Sequence, residues 1–286
     1  MIEVLAPGPY ASLQDLGRPG YRSLGVAGSG AADLGAHRLA NRLVGNADSA
    51  ATVEITLGGL AIRLLDAATI AFTGARCPQP LSWNAALSLP AGTVLRLGTP
   101  ATGVRSYLAI RGGVAVPPVL GSRSTDTLSG LGPAPLRTGD LLPVGTGVTG
   151  APADPAIGQD ASPAADLIPL RALLGPRADW FDADAPGLLF GTSWSVSPAC
   201  NRIGIRLDGP PLRRVRAGEL PTEAALPGAV QVPPDGRPIL FGPDAPVTGG
   251  YPVLAVLLGS ELDRLAQLRP GARVRLADAA TRSSSS

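Results

Sequence analysis

The 286-residue chain is 45% hydrophobic and 16% charged, with a formal net charge of +2. That balance excludes global disorder and gives no electrostatic reason to expect a nucleic-acid or membrane-surface partner. All 24 basic residues are Arg, so no Schiff-base, phosphate-loop or biotinylated lysine can reside here. The 37 Gly and 30 Pro favour short strands joined by tight turns over long helices. No apolar run approaches the ~18–20 residues that cross a bilayer. The opening MIEVLAPGPY lacks the basic and apolar regions of a secretory leader, so a soluble, cytoplasmic protein is expected.

In chain order, a strand is predicted at Ile2–Leu5, then an irregular Gly-rich loop from Gly8 to Gly30, then a helix over about Ala31 to Val44. Ala36, Leu39, Ala40, Leu43 and Val44 form its apolar stripe, with Ser29 as N-cap and Gly45 just past its end. Asp33, His37 and Asn41 follow at i, i+4 and i+8, a polar stripe expected at the rim of a cleft. Its plainer reading is a hydrogen-bonded helix flank. Strands are predicted at Thr52–Leu57, Leu60–Leu65, Thr69–Thr73, Thr93–Leu97 and Val104–Ile110. Residues 131–165 are rich in Pro, Gly, Ala and Asp without periodicity, the expected connection between a first part, 1–130, and a second, 166–286. Ile203–Asp208 alternates as a strand, and Val253–Leu258 runs into a short helix, Ser260–Leu268. A nine-residue echo (Leu89–Leu97, Leu136–Val144, Leu268–Leu276) reads either as common turn-then-strand grammar or as two similar β-units joined.

Isolated patterns exclude more than they assign. GTGVTG at Gly145–Gly150 fits a dinucleotide-binding loop, but the prolines of APADPAIG forbid the helix that must follow. No G-x-S-x-G elbow exists. Two cysteines, Cys77 and Cys200, and one histidine cannot build a zinc site; both thiols are expected to be buried.

Several ordered motifs together say more. QDLGRPG followed by GVAGSGAAD and a helix carrying ANRLVGN (within Ser12–Asn46), EITLGG (Glu54–Gly59), YLAIRGG (Tyr107–Gly113) and LGSRST (Leu120–Thr125) lie in the first half. NRIGIRLDGPPL (Asn201–Leu212), GAVQVPPDGRPI (Gly228–Ile239) and TGGYP (Thr248–Pro252) lie in the second. This series resembles the carboxyltransferase subdomain A/B family, which includes the C-type subunits of 5-oxoprolinases, KipA, allophanate hydrolase subunit 2 and a region of urea carboxylase. The resemblance implies a mainly β fold with a few short helices, in two β-rich subdomains with a cyclophilin-like barrel. It implies an ATP-dependent amidohydrolase opening 5-oxoproline to glutamate, with ATP bound at the level of a complex. The partner would be a C/D-type subunit (the B-type chain of 5-oxoprolinases, KipI-like), with room for a further A-type subunit. Alternatives within the resemblance are a biotin-dependent carboxyltransferase component, whose biotin this chain does not carry, and a KipA-like regulator binding a kinase inhibitor.

The candidate catalytic carboxylates are Asp15 and Asp33 within those motifs and Glu223 in PTEAALPG, where the resemblance implies a T-E-G segment and Ala224 stands in place of its Gly. Candidate substrate-binding residues are Arg18, Ser29, His37, Asn41, Arg123, Ser124, Asn201, Arg202, Arg206, Gln231 and Tyr251. Guanidinium forks suit carboxylate or phosphate oxygens, and the Gly25–Gly30 loop could seat an anion at the helix start. The arginines could instead pair with nearby Asp to fix long loops. Arg18 and Arg123 come from the first half and Arg202 and Arg206 from the second, and the expectation is that they converge on one anion. No metal site is expected.

Overall fold

A computed structural model describes residues 1–78, 82–155, 166–216, 218 and 220–280. The described chain falls into two compact units. Residues 1–20 and 28–155 make one; residues 21–27 and 166–280 make the other. The end of the predicted connection and the terminal Ser run lie outside the described residues. Among the described residues no helix is long and apolar enough to cross a membrane.

The first unit is a sandwich of two sheets. β1 (Ile2–Pro7), β4 (Leu60–Leu64), β7 (Val94–Arg96) and β9 (Leu141–Leu142) form one, in the order β7-β4-β1-β9. β2 (Tyr10–Gln14), β3 (Thr52–Thr56), β5 (Ala68–Gly74), β6 (Ala86–Leu89) and β8 (Arg105–Ile110) form the other, in the order β2-β3-β8-β5-β6. The period-2 pattern decides what faces what. Val53 and Ile55 of β3, Ile70 and Phe72 of β5, and Leu108 and Ile110 of β8 pack against Ile2, Val4, Ile62 and Leu64 of the facing sheet. Each is essentially fully buried and contributes about 1.5–3 kcal/mol by leaving water.

The alternate residues of the five-stranded sheet point to its outer face, where α1 (Leu34–Leu43) lies. Ala36, Ala40 and Leu43 meet Ala71, Tyr107 and Ala109 there. Both faces of β8 are therefore covered, and all six of its residues are buried.

Two local expectations change. The segment read as wholly irregular contains β2, paired in register with β3 from Tyr10↔Thr56 to Gln14↔Thr52. The helix starts at Leu34 and its N-cap is Asp33, whose Oδ1 accepts from Ala36 N at 2.8 Å. Ser29 sits in the left-handed region (φ 53), and the amides of Ala31 and Ala32 leave the helix path to reach Asp15 O and Glu54 Oε2. Gly45 does follow the last turn, with φ 73.

The second unit is a closed seven-stranded barrel. Its strands are β10 (Ile168–Leu174), β11 (Trp194–Val196), β12 (Gly204–Asp208), β14 (Ala229–Gln231), β15 (Ile239–Phe241), β17 (Val253–Leu257) and β18 (Arg273–Asp278). A parallel pairing of β10 with β18 helps close it, so no edge is left open among them. Leu170, Trp194, Leu207, Val230, Leu240, Leu254, Val274 and Leu276 fill the interior. α2 (Ala185–Gly191) packs on β18. The predicted helix after β17 is shorter, a 3-10 turn at Gly259–Glu261 and α3 (Leu262–Ala266). Glu261 is buried there and holds Arg171 Nε at 2.6 Å and Arg264 Nη1 at 2.9 Å. β13 (Glu223–Ala224) and β16 (Thr248–Gly249) form a separate two-stranded ribbon. Cys77 is buried as expected; Cys200 is only partly so, and its Sγ accepts the Arg206 amide at 3.3 Å.

Candidate functional site

Four of the predicted residues in the first unit form one hydrogen-bonded cluster. Asp15 ends the run from β2, and its Oδ1 accepts from Ser122 Oγ at 2.6 Å, Ser124 Oγ at 2.6 Å and Gly17 N at 2.8 Å. Its Oδ2 accepts from Arg123 N at 2.6 Å. Arg18 lies fully buried beside it, with Nη2 on Ser124 O and Nε on Val119 O at 3.3 Å. Arg123 turns its Nε to Val116 O at 2.6 Å. Ser29 Oγ donates to Thr125 O at 3.1 Å. The GSRST motif is thus wrapped around the QDLGR motif. Gly17 is required at the crossing: its φ is +83, and a Cβ would lie 2.7 Å from Ser29 O.

Asp33, His37 and Asn41 form a second cluster, buried between α1 and the sheet and not on a rim. The reason is that the outer face of the sheet is itself polar there. His37 Nδ1 meets Thr52 Oγ1 at 2.9 Å, and Nε2 meets Asp48 O at 2.9 Å. A carbonyl can only accept, so Nε2 carries a proton and donates it to Asp48 O. Asn41 Nδ2 donates to Ala50 O at 2.9 Å, and Asn41 Oδ1 accepts from Asn46 Nδ2 at 3.1 Å. Burial pushes the His37 pKa below 6.5, against the raising influence of the Asp48 carbonyl and the Asp15, Glu54 and Asp48 charges. The ring is held neutral.

The start of α1 does not offer an anion seat. Ala32 N donates to Glu54 Oε2 at 2.9 Å, Asp33 N to Tyr107 Oη at 2.8 Å, and Ala36 N to Asp33 Oδ1. The chain's own oxygens answer the helix dipole. Tyr107 Oη in turn donates to Glu54 Oε2 at 2.7 Å, and Arg105 Nε lies 3.3 Å from Glu54 Oε1. Burial, then the Glu54 and Asp33 charges, push the Tyr107 phenol well above 10. Sequence reasoning noted Glu54 only as a motif carboxylate and passed over Tyr107, Ser122, Thr52 and Asn46. For all but Thr52, the only signal was membership of the EITLGG, YLAIRGG, LGSRST and ANRLVGN motifs.

In the second unit, Arg202 is buried against Asp244 in a two-point contact, Nε to Oδ2 at 2.8 Å and Nη2 to Oδ1 at 2.9 Å. Arg206 faces outward from β12 and is exposed. Asn201 Oδ1 closes a turn by accepting from Ile203 N at 2.8 Å and Gly204 N at 3.2 Å. Glu223, Gln231 and Tyr251 come from separate motifs and are gathered locally. Gln231 Nε2 donates to Tyr251 O at 2.8 Å, and β13 sets Glu223 opposite Gly249. Arg177, missed by sequence reasoning, binds both Glu223 carboxylate oxygens. Tyr251 remains 43% exposed.

A family model, "Carboxyltransferase domain, subdomain A and B", matches residues 24–278. The chain belongs to this family. It is 39% identical to the C-type 5-oxoprolinase subunit of Escherichia coli over 282 residues, which is 95% of this chain and 89% of that one. It is 34% identical to urea amidolyase of Lachancea kluyveri over 94% of this chain but 16% of the yeast protein. Among solved structures, the urea amidolyase of K. lactis superposes with a TM-score of 0.87 at 31% identity, covering 97% of this chain and 18% of that one. The chain therefore spans under a fifth of the urea amidolyases and most of the bacterial subunit.

Proposed function

We propose that this chain is the C-type subunit of an ATP-dependent 5-oxoprolinase, working with a C/D-type partner to open the cyclic amide of 5-oxoproline to glutamate. The observation that carries this reading is extent. The 39% identity to the E. coli subunit runs over 95% of this chain and 89% of that one. In the urea amidolyases the same region is a small part of a longer polypeptide.

The geometry supports a shared site. Ring opening needs a base and a group that polarises the amide. Asp15 accepts four hydrogen bonds from its own loops, and Glu223 is gripped by Arg177. These carboxylates act as positioning residues, and the base comes from the partner. The absence of Lys removes a phosphate-loop lysine, and the amides of Ala32, Asp33 and Ala36 at the start of α1 are taken by Glu54, Tyr107 and Asp33, which supports placing ATP at the level of the complex. Nucleotide binding is assigned to the other chains of the complex, a further A-type subunit included.

The test is to express the tagged chain with the polypeptides encoded beside it and identify what co-purifies. A C/D-type subunit without a biotin carrier is the expected result. A biotin carboxylase and a biotinylated carrier would overturn it in favour of a carboxyltransferase component acting on urea or a related amide. The 0.87 superposition on urea amidolyase is what supports that second reading.

A further inference from the structure

An apolar run projects from the first unit between β8 and the motif that wraps Asp15. Pro117, Pro118, Val119 and Leu120 are consecutive and all exposed, Val119 at 37% and Leu120 at 40%. Single apolar residues on a surface need no account, but an unbroken run of them does. Neither Val119 nor Leu120 joins the core of this unit. The run is also stiff. Each proline fixes its own φ, and Val119 and Ser122 exchange backbone hydrogen bonds at 2.8 and 3.2 Å to close a two-residue turn. Arg18 Nε holds Val119 O at 3.3 Å, and Ser122 Oγ and Arg123 N are fixed on Asp15.

The tip carries a residue that works against its own stability. Leu120 has φ 51 and Gly121 φ 79, the positive pair of a type I′ turn, which favours Asn-Gly. A left-handed leucine is sterically costly. Among the described residues, the other non-glycine positions with positive φ are Ser29, Leu57 and Asn84, and each is at least half-buried. Only Leu120 combines that backbone with an exposed side chain. Strain held at an exposed apolar tip points to a contact outside the chain.

We propose that Leu120 is the anchor by which this chain docks into its C/D-type partner, an inference that rests on the function proposed above. The partner offers an apolar pocket for Val119 and Leu120, with a carboxylate at its rim. The carboxylate follows from Arg123, which is half-buried on the same arm. Its Nε donates to Val116 O at 2.6 Å, and no carboxylate pairs with it among the described residues. A rim carboxylate answers that charge. A tip already ordered loses little freedom on docking, and a few buried apolar anchors carry most of an interface's energy.

Leu120→Asn and Leu120→Gly separate docking from a structural role, because the two expected effects have opposite signs. Either variant should raise the Tm of the purified chain by about 2 °C or more. The Kd for the C/D-type subunit, read by calorimetry, should rise at least about 10-fold. In a folded Arg123→Gln the salt dependence of that Kd should flatten, and an unchanged dependence would remove the rim carboxylate. A lowered Tm in the Leu120 variants would mean that Leu120 packs within the chain and would overturn the proposal. An unchanged Kd would overturn it while leaving the proposed function intact. A wild-type homodimer that Leu120→Asn dissolves would give the tip to a second copy and also overturn it. A wild-type chain that binds no C/D-type subunit would overturn the proposed function as well.

Discussion

Asp15 and Ser124 exchange hydrogen bonds in both directions, Ser124 Oγ donating to Asp15 Oδ1 at 2.6 Å and the Asp15 amide donating to Ser124 Oγ at 3.0 Å. They stand 109 residues apart in the chain, and with Ser122 and the Arg123 amide they lock the loop after β2 to the loop after β8. The lock explains why LGSRST carries Ser122 and Ser124: both hydroxyls donate to the one Asp of QDLGRPG.

Asp15→Asn turns an all-acceptor group into one that must present an N–H to donors. The expected result is a loss of about 3 kcal/mol in urea unfolding, since a buried hydrogen-bonded charge is being removed. Activity of the reconstituted complex should fall in step with the folded fraction. A fully stable but inactive Asp15→Asn would mean that Asp15 is a catalytic base.

Tyr107→Phe removes the hydroxyl that donates to Glu54 and accepts from Asp33 N. It should destabilise the chain by about 2 kcal/mol through the unsatisfied groups left behind. A double-mutant cycle with Glu54→Gln should show a coupling above about 0.5 kcal/mol. Additive effects would contradict the network beneath α1.

His37 gives a pH signature. Burial holds its folded pKa below the ordinary 6.5, so below that pH the unfolded chain binds a proton that the folded chain refuses. The stabilisation from neutral His37 is complete above 6.5 and is lost as pH falls toward the folded value. Between about pH 7.5 and pH 5.5, wild type should lose more stability than His37→Gln, because only the former titrates there. Equal losses would show that the ring is not held neutral.

Arg202→Met strands the Asp244 charge, which is fully buried. A loss of about 3–5 kcal/mol is expected, with much of it recovered in Arg202→Met/Asp244→Leu. Full stability in the single variant, accompanied by weaker substrate binding in the complex, would favour a ligand role for Arg202.

Much of the fold is legible in the sequence because strand period and turn chemistry are local. Val53–Ile55 and Leu108–Ile110 alternate, and the sheet follows. β2 escaped because Tyr10–Gln14 opens a Gly-rich motif and carries Ser12 and Gln14 on the face that α1 and its loops cover. The polar stripe Asp33–His37–Asn41 is visible as helical spacing. Its burial is not, because that depends on Thr52, Glu54 and Tyr107 arriving from strands outside the helix. For the same reason Ser122 and Arg177 were passed over: each matters through a partner more than 40 residues distant.

The claim that this chain is one subunit of a 5-oxoprolinase is tested most directly by glutamate release from 5-oxoproline in the presence of ATP. The chain alone and the complex with its co-purifying subunits should be measured side by side. The account predicts ATP-dependent glutamate release from the complex and none from the isolated chain. Full ATP-coupled cleavage by the chain alone, or no glutamate from the complete complex, would contradict it.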